Sequence, residues 1–239
     1  MLIILIFEPH KCMAFYPERG AQSVKKNKGV LSIVTICAFV IFMQACSPKK
    51  DVKYLATEED LGEALVFDPV LSRDSSLSCA GCHKPEFAFA DNTALSNGVF
   101  GRHGKRNTPT VMNQGARNFY FWDGRAETLE EQALGPMENH VEMDFPLTLT
   151  IRRLQKNEMY KQAFYRIYGE APSKARLAEA IAAYERTLET SNTIFDSYVS
   201  GNDTTLMSES AKRGLNIFNT KGKCFDCHFG VDFTGSDRF

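Results

Sequence analysis

An all-α fold is the class that this sequence predicts, and two observations lead to that prediction. Apolar residues recur at spacings of three and four along several segments, which places them on one face of a helix. In addition, a short helical segment, a loop and a Cys-x-x-Cys-His run follow one another twice along the chain, ending at His83 and at His228. We therefore expect an all-α protein with two units built on the same plan.

The helical signals can be placed in order along the chain. Residues 61–67 and 211–218 are predicted to form the short helices that lead into the two Cys-x-x-Cys-His runs. Residues 151–168 have apolar positions at helical spacing and are followed by a glycine, which favours one continuous helix. A further helix is expected after Ser173, with Gly201 as its stop. Its apolar stripe consists of Leu177, Ile181, Tyr184 and Leu188.

The strongest chemical signal is the repeated Cys-x-x-Cys-His run, which is typical of covalent c-type haem attachment. The two thiols are spaced to add to the two vinyl groups of one porphyrin, and the histidine that follows becomes a ligand of the iron. We therefore expect two covalent haems and electron transfer between them. The residues are Cys79, Cys82 and His83 in the first run and Cys224, Cys227 and His228 in the second.

A four-cysteine zinc site and a redox disulfide are the alternatives to haem. Zinc ribbons place their Cys-x-x-Cys pairs roughly 15–20 residues apart, whereas 145 residues separate Cys224 from Cys79. A thioredoxin-like motif would occur once, near a βαβ pattern. Neither alternative explains a histidine directly after both pairs. Because a haem offers a large apolar surface, we expect the irregular residues 88–124 to be ordered loops around it.

The first 46 residues are predicted to be a targeting segment. Three lysines at positions 25, 26 and 28 precede an apolar run over 30–43, and Ala45-Cys46 follows. This order is typical of a secretory signal that ends in a bacterial lipobox. We expect export to the periplasm and membrane anchoring through a lipid on Cys46. An uncleaved anchor is the alternative, although the run is slightly shorter than the ~20 residues that a membrane span needs.

Cysteine use and charge agree with export and exclude one class of partner. Of the seven cysteines, four belong to the haem runs and three (Cys12, Cys37 and Cys46) lie in the first 46 residues. The rest of the chain therefore has no cysteine left for a disulfide. Its formal charge is −4, which argues against nucleic acid as a partner, because nucleic-acid-binding proteins present a basic face.

Three segments follow from these patterns. We assign residues 1–46 to the targeting segment, 47–205 to an N-terminal haem domain and 206–239 to the start of a C-terminal haem domain. Eleven residues follow His228, whereas a c-type haem domain needs roughly 80–100 residues, near the lower end of domain sizes. We therefore expect the second cytochrome-c-like domain to be incomplete in this chain, with its distal haem ligand beyond Phe239.

From about residue 61 onward the chain resembles the bacterial dihaem cytochrome c peroxidases, a family that includes MauG-like enzymes. The resemblance rests on an ordered set of motifs and not on haem attachment alone. The set comprises Leu-Ser-Cys-Ala-Gly-Cys-His at 77–83, Arg-Asn-Thr-Pro-Thr at 106–110, Phe-Trp-Asp-Gly-Arg at 121–125, Leu-Glu-Glu-Gln-Ala-Leu-Gly-Pro at 129–136, Val-Glu-Met at 141–143, and the second haem run with Gly230, Phe233 and Thr234 after it.

The resemblance implies a role for each haem. The first, held by Cys79, Cys82 and His83, would bind hydrogen peroxide, and the second would accept electrons from a donor. Trp122, the single tryptophan, matches the residue that lies between the haems, with core packing as its alternative role. Glu142 matches the acid–base residue beside the peroxide site, where a poorly solvated carboxyl moves a proton during O–O cleavage. Its alternative is a solvated surface glutamate.

Three further polar residues are weaker candidates for the site. Asn107 matches a ligand of the calcium that lies between the two domains, where oxygen ligands are expected. His103 matches, at a shorter spacing, a distal histidine that closes the resting peroxide haem in some members, whereas other members keep that site open. His140, beside Glu142, is expected at the edge of the pocket or on the surface.

These residues lead to a functional expectation. The chain is expected to reduce hydrogen peroxide to water with electrons from a small cytochrome c or copper protein, and a homodimer is compatible with this role. A MauG-like oxidase of a protein or organic substrate is the enzyme alternative. A dihaem electron carrier without peroxide chemistry is the alternative from another class. Glu142 favours an enzyme, because electron transfer alone needs no acid–base group.

Overall fold

The computed structural model describes residues 54–201, 203–230 and 233–235. The targeting segment predicted at 1–46 and its Cys46 lie outside these residues. The described part contains helices and three isolated β-bridges but no β-strand, so the predicted all-α class is confirmed. No helix in these ranges is both long enough and apolar enough to cross a membrane.

Eight α-helices lie in the described part of the chain, joined by loops and single 3₁₀ turns. Most begin at a polar residue whose side chain accepts a hydrogen bond from a backbone N–H in the first turn, as Thr57, Ser173 and Ser208 do. The helices are α1 (Glu58–Phe67), α2 (Cys79–Cys82), α3 (Leu129–Glu138), α4 (Leu147–Lys156), α5 (Glu158–Tyr168), α6 (Lys174–Thr187), α7 (Ile194–Val199) and α8 (Glu209–Asn219).

The core forms where α1 packs along α6, with α3, α4 and α5 around this pair. Leu61 and Leu177 are completely buried in this packing. Gly62 allows the two helices to approach closely, because a Cβ at this position would collide with the carbonyl oxygen of Ala180. Cys79 on α2 packs against the same core, which ties the first haem run to the best-packed part of the protein.

Several local predictions are confirmed. The helices expected at 61–67 and 211–218 are present as α1 and α8, each beginning a few residues earlier than predicted. The segment 88–124 is irregular and contains only the single 3₁₀ turns Val99–Gly101 and Gln114–Ala116.

The prediction of one helix over 151–168 is wrong, because the chain breaks at Asn157 into α4 and α5. The Asn157 side chain accepts hydrogen bonds from the N–H groups of Met159 and Tyr160, at 3.1 and 3.4 Å. Its own N–H donates to the carbonyls of Arg153 and Leu154. Asparagine competes for backbone groups in this way and favours caps over helix interiors.

The prediction that Gly201 stops the helix after Ser173 is also wrong. Helix α6 ends at Thr187, and a capping box formed by Thr193 and Asp196 starts the separate short helix α7. Gly201 follows α7 and adopts φ +74°, a conformation that suits glycine after a helix end. The glycine was therefore identified correctly as a stop, but for a different helix.

Burial is confined to the first part of the described chain. Among the described residues no side chain after Glu185 is buried, and neither α7 nor α8 contributes to a core. Apolar side chains of this part, such as Ile217 and Phe225, are 45% and 46% exposed. The boundary at 205/206 stays a prediction.

Candidate functional site

The first haem run forms a single helical turn in which both thiols are available. His83 lies at the end of α2, and its backbone N–H donates to the carbonyl of Cys79 at 2.8 Å. Cys79 and Cys82 are free and half-buried. Burial raises the pKa of Cys79 to about 12 and also raises the pKa of Cys82. Both thiols are therefore neutral near pH 7.

The His83 ring is held by two backbone carbonyls, one from six residues further along the chain and one from 26 residues further along. Its Nδ1 lies 3.1 Å from the carbonyl oxygen of Phe89 and 3.0 Å from that of Pro109. With a proton on Nδ1 for these acceptors, Nε2 keeps its lone pair and can bind a metal. Burial lowers the pKa of His83, which favours the neutral imidazole that iron requires.

The second haem run repeats this geometry. The N–H of His228 donates to the carbonyl of Cys224 at 2.8 Å, and the His228 Nδ1 lies 3.0 Å from the carbonyl oxygen of Phe233. Phe233 and Phe89 both have a positive φ, 57° and 55°, which is uncommon for an aromatic residue. Both runs therefore offer two free cysteines and a histidine with Nε2 available, a donor set that fits a covalent haem.

The described residues contain no cluster of three or more His, Cys, Asp or Glu side chains that could hold a metal ion. In addition, Cys224 and Cys227 are exposed, whereas Cys79 and Cys82 are half-buried.

A loop places Glu142 beside the first haem run. The Cys82 thiol donates to the carbonyl of Asn97 at 3.2 Å. One residue later, a Cβ at Gly98 would collide with the carbonyl oxygen of Val141, so the loop lies directly against the turn that carries Glu142. The N–H of Val99 donates to the Glu142 carbonyl at 2.9 Å. The 97–99 segment therefore connects the haem-binding thiol to the acid.

The Glu142 carboxyl lies in a poorly solvated position. Burial raises its pKa, and a hydrogen bond from Asn139 and the charge of Arg125 partly oppose this rise. The Asn139 Nδ2 lies 2.5 Å from the Glu142 Oε1. The negative charge of Glu142 also contributes to the raised pKa values of Cys79 and Cys82, as expected for a carboxyl close to both thiols. These observations argue against an ordinary surface glutamate.

Trp122 and Asn107 are brought together by the fold. The Trp122 indole N–H donates to the backbone carbonyl of Asn107 at 3.1 Å, and 64% of the tryptophan is exposed. This exposure does not support core packing as its role. The neighbouring Asp123 accepts hydrogen bonds from Arg106 at 3.1 Å and Arg125 at 2.7 Å, so the loop around the tryptophan is held in place by charge.

The two histidines near Glu142 are both exposed. His103 pairs with Asn97 in an isolated antiparallel bridge, which places its backbone on the loop that contacts Cys82. His140 is 71% exposed in its side chain, and its Nδ1 lies 3.7 Å from Asp144. The position of His140 agrees with the expected pocket edge or surface.

Two residues of this region carried no sequence signal that singled them out. Asn139, three positions before Glu142, contacts the acid directly. Glu185 is buried, its Oε2 has no hydrogen-bond partner, and burial raises its pKa to about 8. Its charge is a further cause of the raised pKa of Cys79, so it lies near the first haem run. The sequence feature that could have indicated the burial of Glu185 is its position on α6, four residues after Ile181 of the apolar stripe.

Comparisons with known proteins agree with this geometry. The sequence profile of the di-haem cytochrome c peroxidases matches residues 56–204. The methylamine utilization protein MauG of Methylophilus methylotrophus is 41% identical over 73% of this chain and 52% of its own. The cytochrome c551 peroxidase of Pseudomonas aeruginosa is 40% identical over 76% of this chain and 53% of its own. This chain thus spans about half the length of these two relatives.

Solved structures give the same result. A MauG-like protein associated with microbial copper homeostasis superposes with a TM-score of 0.67 at 26% identity, over 76% of this chain and 55% of the other. The diheme peroxidase BthA from Burkholderia thailandensis superposes with a TM-score of 0.63 at 26% identity, over 74% of this chain and 50% of the other. Sequence and structure together establish that this chain belongs to the di-haem cytochrome c peroxidase family.

Proposed function

We propose that the protein reduces hydrogen peroxide to two molecules of water, using two electrons from a small cytochrome c or copper protein and two protons. The observation that carries this proposal is the poorly solvated carboxyl of the half-buried Glu142, whose turn is held beside the first haem run by the 97–99 segment. The name of the Pseudomonas aeruginosa relative, a cytochrome c551 peroxidase, supports the same reaction.

The haem-binding residues have defined tasks in this proposal. Cys79 and Cys82 attach the first haem through thioether bonds, and His83 binds its iron through Nε2. Cys224, Cys227 and His228 hold the second haem in the same way. When bound, the first haem supplies the peroxide-binding iron and the second supplies the entry point for electrons. The carbonyls that hold the Nδ1 atoms keep each histidine ring in one orientation and make it a stronger ligand.

Glu142 moves the proton. Reduction of peroxide to water requires a proton to move from one peroxide oxygen to the other as the O–O bond breaks. The ionised carboxyl of Glu142 would accept this proton from the first oxygen and donate it to the second. Burial raises the pKa of Glu142, which makes the carboxylate a stronger base and makes the neutral acid accessible closer to neutral pH.

Trp122 and Asn107 lie on the face that we assign to contact between the two haem domains. We infer that the exposed Trp122 indole, fixed by its hydrogen bond to Asn107, carries electrons between the haems. The Asn107 Nδ2 donates to the carbonyls of Asp91 and Thr93 at 3.3 and 2.6 Å. The side-chain oxygen is therefore the Asn107 atom that would bind calcium, as the preference of calcium for oxygen requires.

Further parts of the proposal concern the resting state and location. His103 would close the resting peroxide site as a distal ligand, since its loop contacts Cys82 through Asn97. Export, lipid anchoring through Cys46 and homodimer formation belong to the same proposal and rest on the sequence patterns and the resemblance.

A MauG-like oxidase is the second candidate, because a MauG protein is 41% identical to this chain. Both candidates use the same haem and acid, and they differ in what the oxidised site acts on. A peroxidase turns over peroxide with a reduced cytochrome as electron donor. A MauG-like oxidase would act on a protein or organic substrate instead.

The test is peroxide consumption by haem-loaded protein with a reduced cytochrome, measured as isolated and after half-reduction. Glu142→Gln keeps the side-chain shape but removes the titrating proton, and we expect turnover to fall by roughly 10²–10⁴-fold with both haems still loaded. Glu86→Gln is the matched control, because this exposed glutamate lies three residues after the first haem run. Near-normal turnover in Glu142→Gln would make this carboxyl structural. Absence of turnover in the wild type, even half-reduced, would favour the electron carrier.

A further inference from the structure

Asn139 makes four hydrogen bonds that organise the turn carrying Glu142. It caps the C-terminus of α3. Its backbone carbonyl accepts from the N–H groups of Glu142 and Asp144, both at 3.0 Å. Its side-chain Oδ1 accepts from the Val141 N–H at 3.2 Å, and its Nδ2 donates to the Glu142 Oε1 at 2.5 Å.

The orientation of the Asn139 amide follows from its partners. The backbone N–H of Val141 is only a donor, so the amide oxygen must face it. The amide nitrogen then faces Glu142 and can only donate. The opposite flip would place a donor against a donor and an acceptor against a carboxylate. The fold therefore presents Glu142 with a fixed hydrogen-bond donor.

A fixed donor makes the two carboxyl oxygens of Glu142 inequivalent. Oε1 accepts the Asn139 N–H, and a carboxyl oxygen accepts a hydrogen bond less well once it is protonated. Protonation on Oε2 keeps this hydrogen bond at full strength, which favours Oε2 as the oxygen that takes up the proton. We propose that Asn139 is a positioning residue. It keeps Oε1 of Glu142 occupied as a hydrogen-bond acceptor and leaves Oε2 as the oxygen that exchanges the proton with peroxide. This inference rests on the proposed function for its catalytic meaning, but the hydrogen bond itself can be tested without peroxide.

Other parts of the fold hold this turn independently of the Asn139 side chain. Arg102 donates to the carbonyl of His140 at 2.9 Å and to the Asp144 carboxylate at 2.8 Å. Arg73 lies 3.2 Å from the same carboxylate, and Val99 donates to the Glu142 carbonyl. A change at Asn139 should therefore alter the Glu142 carboxyl without releasing the whole turn.

The charged groups around Glu142 determine what a pH titration will report. Arg125 opposes the rise in the pKa of Glu142 and is unchanged by substitution at Asn139. Cys79 and Cys82 lose their titrating protons when the haem is attached. Arg102 and Asp144 form an ion pair in the same turn, and His140 is close to Asp144. Asp144→Asn is therefore the matched control, because it changes a charge in this turn but keeps the Asn139 donor.

The test is an infrared pH titration of the haem-loaded protein. The carbonyl band of protonated Glu142 is assigned by its loss in Glu142→Gln. In Asn139→Asp, a carboxylate replaces the amide donor, and we expect the Glu142 titration to move to higher pH by about one unit or more, because a hydrogen bond to a charged group is lost and a like charge is added. Asn139→Ser, which keeps an acceptor for the Val141 N–H but lacks the amide nitrogen, should shift in the same direction. Asp144→Asn should shift the titration less than either variant.

Peroxide turnover supplies the second readout. Because the ionised acid accepts the first proton, the acid limb of the pH profile should move upward with the infrared titration. An unchanged infrared titration in Asn139→Asp, or in Asn139→Ser if the aspartate variant does not fold, would overturn the inference about Asn139. A shifted titration with an unchanged pH profile of turnover would overturn the role of Oε2 in proton exchange. Unaltered turnover in Glu142→Gln would instead overturn the acid–base role of Glu142, and absence of turnover in the wild type would overturn the proposed function, whatever the infrared result.

Discussion

Glu185 offers a sharp test of the electrostatics of this fold, because it is a buried acid without a full set of partners. It is 8% exposed, and its Oε2 has no hydrogen-bond partner among the described residues. Burial is the largest cause of its raised pKa, the charge of Arg186 opposes the rise and that of Glu130 adds to it. We predict that Glu185→Gln makes the protein less sensitive to alkaline pH.

The magnitude follows from the pKa. The value rises from 4.5 to about 8 on folding, so the folded protein binds this proton more tightly than the unfolded chain. The contribution of this proton to the free energy of unfolding is fully present below pH 4.5. It decreases as the pH rises and stops decreasing above a pH of about 8. Linkage gives a loss of roughly 3 kcal/mol between pH 5 and pH 8, at about 1.4 kcal/mol per pKa unit. The glutamine that replaces Glu185 cannot ionise, so this part of the pH dependence should disappear.

The assay is guanidinium unfolding of haem-loaded protein at several pH values, with the free energy of unfolding compared between variants. The buried amide that the substitution introduces lowers stability by a constant amount, so the informative quantity is the change between pH 5 and pH 8. Glu189→Gln, an exposed glutamate just after the same helix, is the control and should behave like the wild type. The reasoning is refuted if Glu185→Gln and the wild type lose the same free energy over this range.

Two further predictions concern the haems and the path between them. Replacing Cys79 and Cys82 with alanine should leave one covalent haem, and replacing Cys224 and Cys227 should do the same, as measured by the mass of the exported protein. A wild-type mass without added porphyrin would contradict haem attachment at both runs. Trp122→Phe should slow electron transfer between the haems in stopped-flow reduction while peroxide still binds at the first haem. An unchanged transfer rate would remove Trp122 from the electron path.

Local signals predicted the helices well where one strong pattern was sufficient. The apolar stripe of α6 is buried at Leu177, Ile181 and Tyr184, and Ser173 caps the helix as expected. The error at Asn157 arose because the apolar spacing continues through the break, while the capping bonds of a single side chain separate α4 from α5. Periodicity alone cannot detect a cap inside a periodic segment.

The family resemblance is confirmed, whereas the role of each site residue stays a prediction. The structure adds to the resemblance by bringing residues together. Glu142 lies beside the Cys82 loop through Gly98, and the Trp122 indole is bonded to Asn107. His103 is exposed, and its role as a distal ligand stays a prediction.

The sequence by itself determined the features that depend on neighbours along the chain. Haem attachment needs two thiols and a histidine within five residues, and a helix cap needs a polar side chain two or three residues from its partner. Tertiary structure alone decided which acidic side chains are buried away from solvent and which backbone atoms hold the ring of His83. The His83 ring is anchored by Pro109, 26 positions away, and Glu185 is buried by packing of α6 against other elements. Burial and long-range hydrogen bonds depend on segments that meet only after folding, so the pKa values and orientations that make the site reactive could not be derived from local sequence.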